Sequence, residues 1–455
     1  MHLLQWLPLA WQRTVLDVAA MPLGRRLVRG ATASLMMTGA SMLLGIANSV
    51  LLGRLLGPEG FGLYSFAMLL ISVASVPFWF GMSTLLTRET GRVVASGTRR
   101  DMGVLLNWSY RWTVRVAFVA TVAAAALLWF FGSLIGPVRQ VVCLMGLPLI
   151  GLSMLMPINS TLLRGVGGLV RSQFCDLIAR PSLSLLAILL LVAVFGHNVL
   201  TANAGLLAQT LAVAGASALS GYWFLRGWRE MPLAARADAE PYVGRFRFRG
   251  LLTFSAYASL ATFYGSIDGL LLNSLDGNAT LGIYRIAMVG VQLISGIPLA
   301  INTIAQPSIA SLHAAGDHHR LQRLLTTIAR VTAVLEAFPV AVLALFGQPL
   351  LSLGFGPGYA AGAPALAISA IGQLLMALAG PVASLLTLTG NERTALLCLL
   401  AGTICSGVLC LLLIPSLGMS GAAIATTSGG LLWTGLMALS ERRLTGLTST
   451  VFGVR

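Results

Sequence analysis

Residues 51–68 read LLGRLLGPEGFGLYSFAM, and 220 positions later residues 271–288 read LLNSLDGNATLGIYRIAM. Leu51, Leu52, Leu55, Gly57, Gly62, Tyr64, Ala67 and Met68 recur as Leu271, Leu272, Leu275, Gly277, Gly282, Tyr284, Ala287 and Met288. Eight identities in eighteen ungapped positions exceed chance even in a leucine-rich chain. The sequence therefore reads as two related halves. Proline placement agrees: Pro77 answers to Pro298 one residue out of register, and Pro157 more loosely to Pro381.

Outward from that repeat, the composition sets the class. The 455 residues are 57% hydrophobic and 9% charged, with a mean hydropathy of +0.86. A soluble domain carries roughly 25% charged residues. Here 29 basic and 14 acidic side chains are too few to cover a soluble surface, which excludes a soluble enzyme. High hydrophobicity excludes a disordered chain, and glycines without a three-residue period exclude a collagen-like one. All the basic residues are Arg.

Apolar runs long enough to span a bilayer occur at about 31–53, 61–86, 110–131, 140–163, 177–196, 203–225, 251–275, 282–306, 326–346, 362–388, 395–414 and 420–440. With the N-terminus inside, 26 arginines fall on inner segments, and only Arg54, Arg139 and Arg285 on outer ones. The net charge of +15 is thus an inner arginine layer and argues no nucleic-acid partner. The five cysteines form no CxxC and read as buried hydrophobes, with no metal site expected. The expected fold is all-α and integral to the membrane: twelve transmembrane helices as two parallel-oriented six-helix repeats around a central cavity, both termini cytoplasmic. Its parts are an N-terminal cytoplasmic or interfacial segment (1–29), an N-lobe (30–225), a basic linker (226–250), a C-lobe (251–440) and a cytoplasmic tail (441–455). Residues 1–29 offer no clean signal peptide. Parallel repeats are related by an axis along the membrane normal, and rocking one half on the other gives alternating access.

Polar groups inside the apolar runs are the candidate site. Asp268 ends a stripe with Tyr257, Ala261 and Tyr264, and its repeat partner Asn48 ends a stripe of Ser34, Thr38, Ser41 and Gly45. The expectation is that Asn48 and Asp268 approach the cavity from opposite halves; helix packing through small residues is the other reading. Glu336 is either a proton-exchanging acid or half of a structural pair. Gln292, Ser295, Asn302 and Gln306 make a polar row that suits either sugar hydroxyls or bonding between helices. Arg88, Arg111 and Arg115 lie near inner helix ends, where arginine either binds phosphate or snorkels to the interface. His313, Asp317, His318 and His319 read as a solvated loop. No GxSxG, HExxH or P-loop motif occurs, so no enzyme is expected.

The stretch LLGRLLGPEGFGLYSFAMLLISVASVPFWFGMSTLLTRETGR (51–92) resembles the start of bacterial Wzx-type polysaccharide flippases. So do SIDGLLLNSLDGNATLGIYRIAMVGVQLISGIPLAINTIAQPSIASLHAAGD (266–317), LTGNERTALL (388–397) and IPSLGMSGAAIAT (414–426) for later parts of that family. The resemblance covers roughly 30–440. It implies the V-shaped fold of the multidrug/oligosaccharidyl-lipid/polysaccharide exporter superfamily, in a bacterial inner membrane. It implies a polyprenyl-pyrophosphate-linked oligosaccharide as substrate, flipped outward for lipopolysaccharide or exopolysaccharide synthesis. Membrane lipids would be partners, and so would the pathway's polymerase and glycosyltransferases. No cofactor is implied; a proton or sodium gradient or the membrane potential would drive transport. Arg88, Arg111, Arg115 and Arg285 are the pyrophosphate candidates. The alternatives are a cation-coupled multidrug antiporter, with Asp268 or Glu336 as coupling acid, and a non-transporting scaffold for glycosyltransferases.

Overall fold

The computed structural model describes residues 22–96, 99–196, 201–230 and 248–453. Most of the expected N-terminal segment and most of the basic linker lie outside them. Among the described residues there is helix and no strand.

The first helical run, Pro22–Ser96, is broken at Gly57, whose φ of 66° no L side chain adopts readily. It therefore counts as α1 (22–56) and α2 (58–96). Then follow α3 (Arg99–Ile135), α4 (Pro137–Gly165), α5 (Leu169–Val194) and α6 (Ala202–Glu230). The second half opens with α7 (Phe248–Asp276), α8 (Asn278–Ala314) and α9 (His318–Phe355). A 3₁₀ turn, Pro357–Gly362, leads into α10, which is Ala363–Ala377 continued after a break by Val382–Leu388. The last run, Glu392–Thr445, is broken at Gly418 into α11 (392–417) and α12 (419–445). Nine of the uninterrupted runs among the described residues are long and apolar enough to cross a membrane.

Glycines with positive φ turn the chain between helices, and they repeat. Gly57 answers to Gly277 and Gly136 to Gly356, each 220 residues on; Gly196 answers to Gly418 at 222, and Gly167 to Gly390 at 223. Gly57, Gly136, Gly196, Gly277, Gly356 and Gly418 all fall at the end that the arginine distribution assigns to the outside, which is called the outer end below.

The two halves meet at that end. Cores that join them contain Leu52, Phe61 and Ile188 from the first half and Ile286, Val291 and Tyr359 from the second. Toward the inner end each half has its own core. Met82, Leu86, Met102 and Leu162 belong to the first, and Ala305, Ile309, Leu325 and Leu385 to the second. No buried core among the described residues combines the two halves at that inner end.

Three elements differ from the sequence expectation. The fifth helix begins at Leu169 rather than near 177 and contains a π turn, Phe174–Ala179. The ninth runs far beyond 326–346, capped at its start by the Asp317 carboxylate, which accepts from the Arg320 backbone N–H at 3.0 Å. The expected tail is not free. Its Leu447 is buried, Thr448 and Gln322 pair through backbone and side chain, and the Val451 N–H donates to the Leu378 carbonyl at 2.9 Å.

Candidate functional site

The seal at the outer end is built on the repeat. A Cβ on Gly62 would strike the Asn278 carbonyl oxygen, and a Cβ on Gly282 would strike the Pro58 carbonyl oxygen. Pro58 and Asn278 are themselves repeat partners, so α2 and α8 cross backbone to backbone on the axis that relates the halves. Met42 lies against Gly296 further in along α8. Two arginines that the positive-inside count left on the outside tie the same end. Arg54 on α1 donates from Nε to the Gly354 carbonyl at 2.8 Å and from a terminal nitrogen to the Leu353 carbonyl at 2.6 Å. Arg139 on α4 donates to Asn278 Oδ1 at 2.8 Å and to the Asn273 carbonyl at 3.5 Å, with its guanidinium 6.0 Å from the Phe66 ring centroid. The Tyr359 hydroxyl donates to the Gly53 carbonyl at 2.8 Å. A pocket of about 720 Å³ beside this latch is lined by Glu59, Val138, Arg139, Thr201, Asn203 and Asn278.

The two arginine latches bond three backbone carbonyls and the Asn278 side-chain oxygen of the opposite half, and partial exposure limits each bond to about 0.5 kcal/mol. Loss of four such bonds, ~2 kcal/mol, shifts a two-state balance about 30-fold. A protein with Arg54→Ala and Arg139→Ala together should open outward more often. The measure is labelling of Gln292→Cys by an impermeant thiol reagent added from outside, with Cys405, the one cysteine that is not buried, replaced by Ser. Unchanged labelling would show that the latches do not hold the seal.

Asn48 and Asp268 sit at matched repeat positions, and each is bonded within its own half. Asn48 is half-buried and donates from Nδ2 to the Leu44 and Pro181 carbonyls at 3.0 and 2.9 Å, which ties α1 to α5. Asp268 is buried and accepts from the Tyr284 hydroxyl at 2.6 Å and the Gly269 N–H at 2.7 Å, which ties α7 to α8. Tyr264 likewise donates to the Thr426 carbonyl at 2.6 Å. A polar side chain bonded to its own half avoids an unpaired group in hydrocarbon, and each turns inward for that reason. Glu336 is 1% exposed on α9, and neither carboxylate oxygen has a hydrogen-bond partner. Among the described residues it is a lone acid; Arg330 bonds the Val451 carbonyl instead.

The α8 row is open. Gln292 and Gln306 are exposed and Asn302 is half-buried, on a helix whose outer part crosses α2 in the seal. The side chain of Arg88 lies outside the described set. Arg111 and Arg115 are exposed on α3, but the same face continues as exposed Phe118 and Val122. That face is apolar and exposed, and the stacked Trp108 and Trp112 beside them fit an interfacial belt. Arg285 is half-buried, with its chain against Gly269 and its charge acting on Asp268. No group of three metal-ligating side chains occurs among the described residues.

A sequence-family profile described as polysaccharide biosynthesis protein matches residues 51–364. The chain belongs to that family. An uncharacterised membrane protein, MJ1068 of Methanocaldococcus jannaschii, is 25% identical over 187 residues, which cover 40% of this chain and 37% of the relative. The chain thus matches little more than a third of that relative's length. Among solved structures, an inward-facing multidrug-resistance transporter of the MATE family superposes with a TM-score of 0.65 at 16% identity, covering 91% of this chain and 97% of the other. The lipid II flippase MurJ, in an inward closed conformation, gives 0.63 at 13% identity, covering 90% and 87%. At such identities the likeness is one of fold. The fold is one that this chain shares with those solved structures, and the protein is a multi-pass membrane protein of the polysaccharide-biosynthesis family.

Proposed function

We propose that this chain moves an oligosaccharide, joined through pyrophosphate to a polyprenyl lipid, from the inner to the outer leaflet by alternating access. The observation that carries this is the match to a polysaccharide-biosynthesis family on a two-halved fold sealed at one end. The sugar headgroup occupies the gap between the halves, where Gln292, Asn302 and Gln306 offer donors and acceptors to hydroxyls, and the lipid tail stays in the bilayer. The membrane is the bacterial inner membrane, both termini cytoplasmic, and the polymerase and glycosyltransferases of the pathway act before and after. No cofactor takes part. An inside-negative potential favours outward movement of the anionic pyrophosphate by about 2.3 kcal/mol per charge per 100 mV, and Glu336, buried without a partner, is the candidate for a proton gradient to act on.

The test is deletion of the gene followed by periodate oxidation of lipid-linked glycan in intact spheroplasts, which reaches only the outer leaflet. Deletion should lower the oxidised fraction at least ~10-fold while total lipid-linked glycan rises. Glycan equally exposed in both strains, with a change in drug resistance instead, would replace this reading by drug antiport. Loss of glycan synthesis altogether would point to a scaffold for glycosyltransferases.

A further inference from the structure

The two sides of the seal are related by the repeat but are not alike. Arg139 answers to Tyr359 at the 220-residue offset, and each bonds a carbonyl of the opposite half. Arg139 takes the Asn273 carbonyl, and Tyr359 takes that of Gly53, the repeat partner of Asn273. On the Tyr359 side the structure is packed. Tyr359 is buried in the core that joins the halves, and Ala423 and Ala425 are fully buried with Leu272 and Tyr284. On the Arg139 side the matching positions are polar. At the 222-residue offset of Gly196 and Gly418, Ala423 and Ala425 answer to Thr201 and Asn203. With Glu59, Arg139 and Asn278 these line the pocket of about 720 Å³. Duplication of a scaffold would pack both sides alike; here apolar packing on one side answers to a polar pocket on the other.

The wall of that pocket offers donors, acceptors and apolar surface together. The helices α2, α4, α6 and α8 all begin at it, with Glu59, Val138, Asn203 and Asn278 in their first turns. The first N–H groups of a helix have no acceptor within it, so the wall is rich in donors. Arg139 adds to them, since Asn278 and Asn273 use only part of its fork. Glu59 and Thr201 are acceptors; both are exposed and make no side-chain hydrogen bond or ion pair among the described residues. Leu56, Leu63 and Val142 supply apolar wall between them. Helix N-termini and an arginine alone would suit an anion. The Glu59 carboxylate on the same wall repels one, but it accepts from hydroxyls. A sugar ring meets all of these at once, through hydroxyls that both donate and accept and C–H faces that lie on aliphatic side chains. The volume falls within the roughly 300–1,000 Å³ typical of small-molecule pockets and admits more than one ring. The pocket lies beside the α2–α8 crossing at the outer end, apart from the row of Gln292, Asn302 and Gln306 further along α8.

We infer that this outer pocket binds neutral sugar rings of a glycan on the outer side of the closed seal. This rests on the flippase reading for the source of the glycan, and it extends that reading: the headgroup has a second resting place, occupied after it has crossed and while the seal behind it closes.

The test is photo-crosslinking in intact spheroplasts, with the cell's own lipid-linked glycan as the probe. A benzophenone amino acid replaces Val138, which is exposed and lines the pocket, or Leu353, which is exposed at the outer end of α9 and is not part of the lining. After irradiation the full chain is purified and stained for periodate-reactive sugar. The chain substituted at 138 should carry at least ~10-fold more glycan than the chain substituted at 353. Adding Glu59→Leu and Thr201→Val to the 138 chain should cut its capture by about 10-fold, the loss expected of two or more hydrogen bonds. Both side chains are exposed, and a melting curve that matches the parent's excludes misfolding. Excess inorganic phosphate outside the cells should leave capture unchanged. No glycan at 138, equal glycan at 138 and 353, capture that survives the double variant, capture lost to phosphate, or adducts of phospholipid alone would each overturn the inference. If deletion stops export and no glycan is caught at 138, the outer site fails and the flippase reading stands. If glycan is caught at 138 while deletion leaves the oxidised fraction unchanged, the flippase reading fails and the saccharide site stands.

Discussion

Gly282→Ala should abolish transport while leaving the protein folded. A methyl group at 282 meets the Pro58 carbonyl oxygen well inside contact distance and the Gly62 backbone nitrogen at 2.9 Å. Both are backbone atoms, so no rotamer change relieves the clash, and the helices must separate at the seal. Overpacking of this kind costs about 1–3 kcal/mol in a core. Here the cost falls on one conformation only, because the crossing exists only while the outer end is closed, and ~3 kcal/mol against one state shifts the balance more than 100-fold. Export of lipid-linked glycan should fall below about a tenth of wild type by the spheroplast assay. Outside labelling of Gln292→Cys should rise in parallel. Gly62→Ala should behave alike, since its methyl group meets the Asn278 carbonyl, and the double variant should be little worse than either, because both remove one shared contact. Gly435→Ala, where an added Cβ meets open space, is the matched control. Wild-type export by Gly282→Ala would show that the closed crossing is not part of the cycle.

Removal of residues 447–455 should destabilise the second half more than any single surface change. Leu447 is 4% exposed, and burying a leucine contributes about 1.5–3 kcal/mol. The tail also supplies the Ser449 hydroxyl, which donates to Glu441 Oε1 at 2.5 Å; Glu441 is fully buried and its other oxygen has no partner. Without Ser449 that buried carboxyl has no partner among the described residues, and leaving a buried acceptor unsatisfied costs about 1–3 kcal/mol. The Gln322–Thr448 bonds and the Arg330 bond to Val451 go as well. The detergent melting midpoint should drop by about 10 °C or more. Adding Glu441→Gln to the truncated chain should recover part of the loss, since a neutral amide is cheaper to leave unpaired. A truncated chain that melts with the full-length protein would show that the tail contributes nothing to stability.

The halves, their helices and their turning points were legible because periodic apolar length and recurring glycines are one-dimensional signals. Gly57 and Gly277 already stand out in the two quoted stretches. Which side of a helix faces its own half is a different kind of fact. Asn48 and Asp268 match by repeat position, and a polar stripe at helical spacing reads the same whether it meets water or a neighbouring helix. Pro181 and Tyr284, which answer them, are set by the three-dimensional pairing of α1 with α5 and of α7 with α8. Arg54 and Arg139 did announce themselves, as exceptions on the wrong side of the charge count. The docked tail was illegible because Thr448, Ser449 and Thr450 are the residues of an ordinary exposed end.

A crossing placed at one end of long helices makes each half a lever. Gly282 lies only four residues into α8, which runs on to Ala314, so about 48 Å of helix extends beyond the pivot. A rotation of only about 10° about that point carries the far end of the helix by roughly 8 Å. The turns at the pivot are closed by single glycines with almost no slack, so in the proposed cycle the halves would swing as whole bodies. A displacement of an ångström or so between two carbonyls is thereby enough to open or shut a passage wide enough for a sugar ring.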